Sequence, residues 1–393
     1  MPDLRWEKDM GELEARGVSR RDFLKVCTLA AGAVGLPAWA GEKMAAKAAS
    51  SAKPSVIWLH WQECTGCTES LLRTSAPGVA ELILSLVSLD YHETLMASAG
   101  QQAEDTLASA MARNRGKYVL VVEGAIPMKT LQGERVTREA DAALAAYCRV
   151  GGKTALETTL EAAKGAAAIV AIGSCASWGG IPSADPNPTG AVGVREALRA
   201  VGMERAVVTL PGCPANPYNL LGTVLQFATF GTLPALDDLG RPRFAYARTI
   251  HEDCPRRPHF DAGRFAQKFG DEGHRAGHCL YKLGCKGPAT HANCSLNHFV
   301  ETPGAWPIGV GHPCFGCTEQ KLAFRMPLHD TVDVERPTAP ATYPPLTARR
   351  GVVSPLATGL AGAAVGVLAG AGYAATRKLD ARHAEDEREE DRP

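Results

Sequence analysis

Cysteine supplies the chemistry in this chain of 393 residues. It occurs twelve times, and many of the twelve stand beside glycine or proline. Cys64-Thr65-Gly66-Cys67 follows an apolar run directly. Cys175 lies in GSCASWGG and Cys213 in PGCP, each just after another apolar run. If those runs are parallel strands, four thiols converge at one edge of a sheet. Thiolates are soft metal ligands, and the neighbouring glycines allow close backbone approach and offer N–H groups to sulfur. A lone C-x-x-C also suits a redox pair. Four cysteines in an exported chain could form two disulfides, or hold a structural zinc. Zinc sites usually use two paired knuckles, whereas Cys175 and Cys213 enter singly. That favours an iron–sulfur cluster.

The second half repeats the theme. His251 and Cys254 form a His-x-x-Cys pair, and Cys279 and Cys285 follow in GHCLYKLGCKGP. One imidazole and three thiols make a second four-ligand set. Cys294 and the pair Cys314-Phe315-Gly316-Cys317 make a third set of three, suited to a three-iron cluster or a four-iron cluster with one odd ligand. Replacing a thiolate by imidazole is one way to alter a cluster's potential. Two cysteines remain. Cys27 lies in the N-terminal segment, and Cys148 is expected on an Ala-rich helix as a buried apolar thiol.

Elements must position these ligands. Apolar runs predict strands at Ser55–His60, Lys117–Val122, Ala167–Ile172 and Ala206–Leu210, with a weaker one at Leu86–Leu89. Helical patterns fall at Thr68–Arg73, Arg138–Arg149, Leu156–Lys164, Val194–Ala200 and Pro217–Thr229. This alternation over residues 54–234 predicts an α/β domain with a parallel sheet and ligands beyond its carboxyl edge. Residues 235–330 have few periodic segments. Metal binding would supply folding free energy that a small core lacks there.

The ends lie outside this fold. Ser19-Arg20-Arg21-Asp22-Phe23-Leu24-Lys25 precedes a modestly apolar run, Val26 to Ala40, with small residues at Ala38-Trp39-Ala40. This is the layout of a twin-arginine signal over residues 1–40, leading into an Ala/Lys/Ser stretch without a helical stripe. Residues 336–350 read as an extended proline-rich linker. Residues 352–375 carry no charge and, at ~1.5 Å per residue, could span a bilayer. Gly362, Gly366 and Gly370 give that span a face for close helix contact. Residues 376–393 form a charged tail, placed inside the cell by the export signal. The 42 basic and 42 acidic side chains cancel, which argues against a nucleic-acid partner.

Taken in order, WQECTGC, VVEGAIP, GSCASWGG, LPGCPANP, the His251–Cys254 pair, LYKLGCKGP, WPIGVGHPCFGC and TEQKLAFR resemble the small, electron-transferring subunit of membrane-bound [NiFe] hydrogenases. The resemblance spans about Val56 to Arg325. It implies a flavodoxin-like first domain and a second domain organised by clusters. Cys64, Cys67, Cys175 and Cys213 would hold a proximal [4Fe-4S] cluster. Cys294, Cys314 and Cys317 would hold a medial [3Fe-4S] cluster, with Pro307 near the place of a fourth ligand. His251, Cys254, Cys279 and Cys285 would hold a distal [4Fe-4S] cluster. The implied partners are a large subunit bearing the Ni–Fe centre, a membrane cytochrome b or other quinone-linked subunit, and the twin-arginine export machinery. No residue of this chain is expected to be catalytic. Glu63 and Glu123 are expected either at the partner interface or on a proton path, or as ordinary carboxylates. Oxygen-tolerant members carry two extra cysteines where this chain has Gly66 and Gly180, implying a standard proximal cluster and inhibition by oxygen.

Overall fold

Apolar runs with both faces buried form the parallel sheet that carries the first half of the chain. The computed structural model describes residues 24, 27–28, 31–32, 38–49, 53–74, 87–299, 302, 304–334, 339, 367–368, 370–374 and 376–378. In chain order the strands are β1 (Ser55–His60), β2 (Ser88–His92), β3 (Val119–Glu123), β4 (Arg149–Val150), β5 (Lys153–Thr154), β6 (Ala168–Ile172) and β7 (Val207–Leu210). Five of them form one sheet in the order β2-β1-β3-β6-β7, and every pairing is parallel. That is the flavodoxin-like strand order. Register is set by opposed apolar residues such as Val56–Val119, Val119–Ala168 and Ile169–Val207.

Alternating residues feed two cores, as strand pleating requires. Trp58, Val119, Val121, Val170 and Val208 face one core, while Ile57, Leu59, Leu120, Val122 and Ile169 face the other. The covering helices are α1 (Ala38–Ala49), α2 (Gly66–Leu72), α3 (Gln101–Arg113), α4 (Ala155–Gly165), α5 (Gly173–Trp178), α6 (Val194–Ala200) and α7 (Pro217–Phe230).

Four local expectations change. The weak strand runs Ser88–His92 rather than Leu86–Leu89. Its polar residues hid it: the Asp90 carboxylate accepts hydrogen bonds from Ser55, Ser88 and Asn114 side chains. Helix α3 was not anticipated: Ala103, Leu107, Ala110 and Met111 recur at helical spacing, but half of that stripe is alanine and only Leu107 and Ala110 are buried. The helix expected over Arg138–Arg149 is a 3-10 run, Glu139–Leu144, followed by the β4–β5 hairpin. Gly151 and Gly152 make the two-residue turn, with φ of 58° and 83°, as such hairpins demand. Cys148 therefore sits half-buried in the loop before β4, not on a helix. Finally, the stretch after Ala40 is helical. Ala40 and Met44, four residues apart, are fully buried where α1 packs on α7, so the expected cleavage residues Ala38-Trp39-Ala40 occupy the first turn of α1. Most of the twin-arginine segment lies outside the described residues.

Residues 235–330 contain only short helices, including α8 (Arg243–Tyr246), α9 (Arg257–Asp261) and α10 (Glu272–Arg275). Polar fasteners replace regular structure. Arg241, 5 % exposed, bonds Asp237 (2.7 Å), Glu319 (2.8 Å) and the Thr318 carbonyl (3.1 Å). Glu319 also accepts from the His291 N–H at 2.7 Å. Asn219 on α7 and Asn293 exchange amide hydrogen bonds of 3.2 and 2.9 Å.

Residues 343–393 form a second unit. Its described part is helical within 367–378, with Val367, Leu368 and Tyr373 exposed. Most of the expected span 352–375, Gly362 and Gly366 included, and the linker 336–350, lie outside the described residues. Among the described residues no helix is long and apolar enough to cross a membrane.

Thr154 begins α4 with a capping box: its Oγ1 accepts from Glu157 N–H at 3.1 Å, and Glu157 accepts from Thr154 N–H at 2.8 Å. Replacing Thr154 with Ala should cost about 1 kcal/mol. The thermal midpoint should fall while the metal content of the purified protein stays constant.

Candidate metal centres

Three ligand segments leave the carboxyl ends of β1, β6 and β7 and meet at one edge of the sheet. In this strand order the switch point lies between β1 and β3, where a crevice forms. Glu123, the last residue of β3 and 2 % exposed, fills it. Its carboxylate accepts from Cys67 N–H (3.0 Å), Thr68 N–H (3.4 Å), the Thr68 hydroxyl (2.7 Å) and Trp58 Nε1 (3.2 Å). Those main-chain donors belong to the first turn of α2, which has no intrahelical partners for them. Glu123 is thus a structural carboxylate that pins the C-x-x-C segment to the sheet. Glu63 is less satisfied: one oxygen accepts from the Thr65 hydroxyl at 3.2 Å, and the other is buried without a partner.

The first cysteine set comes together as expected. Cys67 interacts electrostatically with Cys175 and Cys213, and Cys64 with both of the latter. Burial raises the Cys67 thiol well above its usual pKa and pushes Cys175 up to about 12, with neighbouring thiols adding to the rise. Two glycines make the packing possible. At Gly173 φ is +82°, and a Cβ would stand 2.5 Å from Cys67 Sγ. At Gly180 φ is +49°, and a Cβ would stand 2.7 Å from Cys175 Sγ. Neither position accepts a side chain without the thiol moving.

The second set lines one cavity: His251, Cys254, Cys279 and Cys285 face it together with Tyr281. His251 Nε2 is buried there without a hydrogen-bond partner. Burial, reinforced by the Arg257 guanidinium, lowers this imidazole to about 4. It is therefore neutral at pH 7, with a lone pair available to a metal. Burial holds Cys254 at about 12 and Cys279 at about 11. Such thiols ionise readily only when positive metal charge enters.

Cys294, Cys314 and Cys317 line another cavity, with Pro307, Trp306 and Tyr246 on its walls. Burial raises all three thiols. Main-chain N–H groups point at sulfur across these sets. Cys254, Cys279, Cys285 and Cys314 are each bonded by the amide two residues on, from Arg256, Tyr281, Gly287 and Gly316. Hydrogen bonds to sulfur of this kind tune iron–sulfur potentials.

The sets also touch one another. The Cys213 main chain bonds the Cys317 thiol. The Cys314 N–H lies 3.4 Å from Cys285 Sγ. A single zinc would hold four sulfurs about 3.8 Å apart at ~2.3 Å per bond. Among the described residues only His60, Glu63 and Glu123 bring three ligand atoms within 4.8 Å of one another, so the cysteine sets are too wide for one ion and fit a polynuclear group. The Glu123 oxygens in that compact trio are already engaged by four donors. Sequence reasoning missed Ser174 and Lys286, which bond the carbonyls of Cys317 and Cys314 at 2.6 and 2.7 Å. Their adjacency to Cys175 and Cys285 was the available signal.

Gly173→Ala should crowd Cys67 and strip metal from the first set. Gly152→Ala imposes a similar φ of +83° with open space around the new methyl. Metal analysis should show partial loss for the former alone, and equal loss in both would show that backbone strain, not the thiol, matters.

Comparison with known proteins agrees with this geometry. The family profile "NADH ubiquinone oxidoreductase, 20 Kd subunit" matches residues 64–227, and the profile for the C-terminal part of the NiFe/NiFeSe hydrogenase small subunit matches residues 246–329. The hydrogenase-2 small chain of Escherichia coli K12 is 47% identical over 375 residues, covering 95% of this chain and 96% of that one. The quinone-reactive Ni/Fe-hydrogenase small chain of Wolinella succinogenes is 46% identical over 310 residues, 78% of this chain and 82% of its own. The reduced, active Ni-Fe-Se hydrogenase structure from Desulfomicrobium baculatum superposes with a TM-score of 0.63 at 33% identity, covering 72% of this chain and 100% of that chain. Fold, ligand pattern and near full-length identity converge: the chain belongs to the family of [NiFe] hydrogenase small subunits.

Proposed function

We propose that this small subunit relays electrons between the Ni–Fe centre of its large subunit and an acceptor in the membrane during hydrogen oxidation. Cys64, Cys67, Cys175 and Cys213 would hold a proximal [4Fe-4S] cluster. Cys294, Cys314 and Cys317 would hold a medial [3Fe-4S] cluster, and His251, Cys254, Cys279 and Cys285 a distal [4Fe-4S] cluster. Such clusters supply one-electron chemistry at potentials set by ligand type, burial and hydrogen bonds to sulfur. The observation that carries the reading is the pair of contacts between sets, Cys213 with Cys317 and Cys285 with Cys314. They support the three-cysteine set as the middle of the relay. The chain's residues bind, space and desolvate these sites, and none acts as acid, base or nucleophile.

The exposed Cys64, with the exposed Ile181 (56 %) whose main chain reaches the Cys175 thiol, supports the first set as the face covered by the large subunit. Export by the twin-arginine route, a membrane anchor at 352–375, and a cytochrome b or other quinone-linked acceptor complete the proposal. Gly66 and Gly180, against Cys64 and Cys175 sulfurs, leave no thiol for an oxygen-adapted cluster. Inhibition of the purified enzyme by air follows.

Three measurements test this reading. The purified complex should contain roughly twelve irons per small subunit, eleven in its clusters and one in the partner's Ni–Fe centre, with about twelve acid-labile sulfides. Its oxidised form should show a three-iron paramagnetic resonance signal that vanishes under hydrogen gas. A signal that responds to dithionite but ignores hydrogen would overturn the donor assignment. Truncation after Arg350 should abolish quinone reduction and release the enzyme from membranes while dye-linked hydrogen oxidation persists.

A further inference from the structure

Ser174 is 1 % exposed and sits between Gly173 and the ligand Cys175. Its hydroxyl does two things at once. It donates to the Cys317 carbonyl at 2.6 Å and accepts from the Gly212 N–H at 3.1 Å. The Ser174 N–H in turn donates to the Gly212 carbonyl at 2.9 Å. One side chain thereby fastens three loops: the one carrying Cys175, the one carrying Cys213, and the one carrying Cys317. Beside it the Cys213 main chain approaches the Cys317 thiol, and Cys213 lines the same cavity as Cys294, Cys314 and Cys317.

We propose that Ser174 is the positioning residue of this junction: its hydroxyl holds the Cys317 backbone against the Cys213 loop, so that the amide-to-sulfur bond forms and electrons cross there. The inference rests on the relay reading above. The step is the transfer of one electron from the first site, reduced through the partner's oxidation of hydrogen, to the oxidised three-cysteine site. No bond or proton moves within this chain. A hydroxyl is required because one atom must donate and accept together. Alanine would leave the Gly212 N–H and the Cys317 carbonyl buried without partners, and the loops would part to solvate them. The other junction has a separate fastener, the Lys286 N–H donating to the Cys314 carbonyl at 2.7 Å. A change at Ser174 therefore acts on one side of the three-cysteine set only.

The test uses the intact complex with its large subunit, comparing wild type, Ser174→Ala and Ser174→Thr, which keeps the hydroxyl. Freeze-quench paramagnetic resonance follows the oxidised three-cysteine-site signal after mixing with hydrogen, and separately with dithionite, which delivers electrons from outside the large subunit. Exchangeable-proton couplings on the same signal report the Cys213 N–H bond without turnover, and iron content reports assembly. Expected for Ser174→Ala are a severalfold slower response to hydrogen, an unchanged response to dithionite, full iron, and loss of one proton coupling. Ser174→Thr should behave as wild type. A wild-type response to hydrogen in Ser174→Ala overturns the proposal. So does an equal slowing with both reductants, or loss of iron, each of which makes Ser174 merely structural. A wild-type signal indifferent to hydrogen would instead overturn the relay itself.

Discussion

Crowding of thiols in a desolvated interior is the constraint on which this structure depends. Burial, with the neighbouring thiols adding to it, pushes Cys175, Cys254 and Cys294 up to about 12. A fold that gathers such groups calls for a compensating positive charge. Main-chain amides aimed at sulfur provide the remaining compensation. They require an irregular backbone, because N–H groups within helices and strands are already committed. The scarcity of regular structure in residues 235–330 follows from the same need.

Order in the first half serves the second. The parallel sheet delivers the segments after β1, β6 and β7 to one edge, and glycines at 173 and 180 let sulfur approach the turn. Glu123 then fixes the C-x-x-C helix by using both carboxylate oxygens on donors from β1 and α2. The second half is fastened to the first by polar contacts that span long stretches of sequence, Ser174 to Cys317 and Asn219 to Asn293, and within itself by Arg241 to Glu319. Breaking a buried charged pair such as Arg241–Glu319 leaves a desolvated ion, which is far more costly than never having had one. These fasteners therefore specify one arrangement of the cysteine sets.

Helix α1 is built into the core of the first half. Ala40, Met44 and Ala45 are fully buried in the core shared with α7, and Ala38-Trp39-Ala40 forms the first turn of that helix. Export processing at this point would act on residues that also pack, and a chain cut there would keep most of α1 as part of its body.

Local chemistry was legible in the amino-acid sequence by itself. Ligand identity depends on residue type, and the order of motifs fixes which loop each ligand occupies. Strands β1, β6 and β7 and helices α4, α6 and α7 were legible because continuous apolar runs and periodic stripes report burial directly. What stayed hidden has one physical cause: it depends on partners distant in sequence. Strand β2 hides its polar residues by pairing Asp90 with Ser55 and Asn114. Helix α3 carries only a weak stripe, half of it alanine, because so little of it is buried. The helix foreseen around Cys148 is a 3-10 run and a glycine hairpin, since two positive φ angles outweigh a row of alanines. Only the tertiary structure decided that Cys213 meets Cys317, that Cys285 meets Cys314, and that Ser174 stands between these segments, because contacts between residues so far apart in sequence leave no periodicity in the chain that makes them.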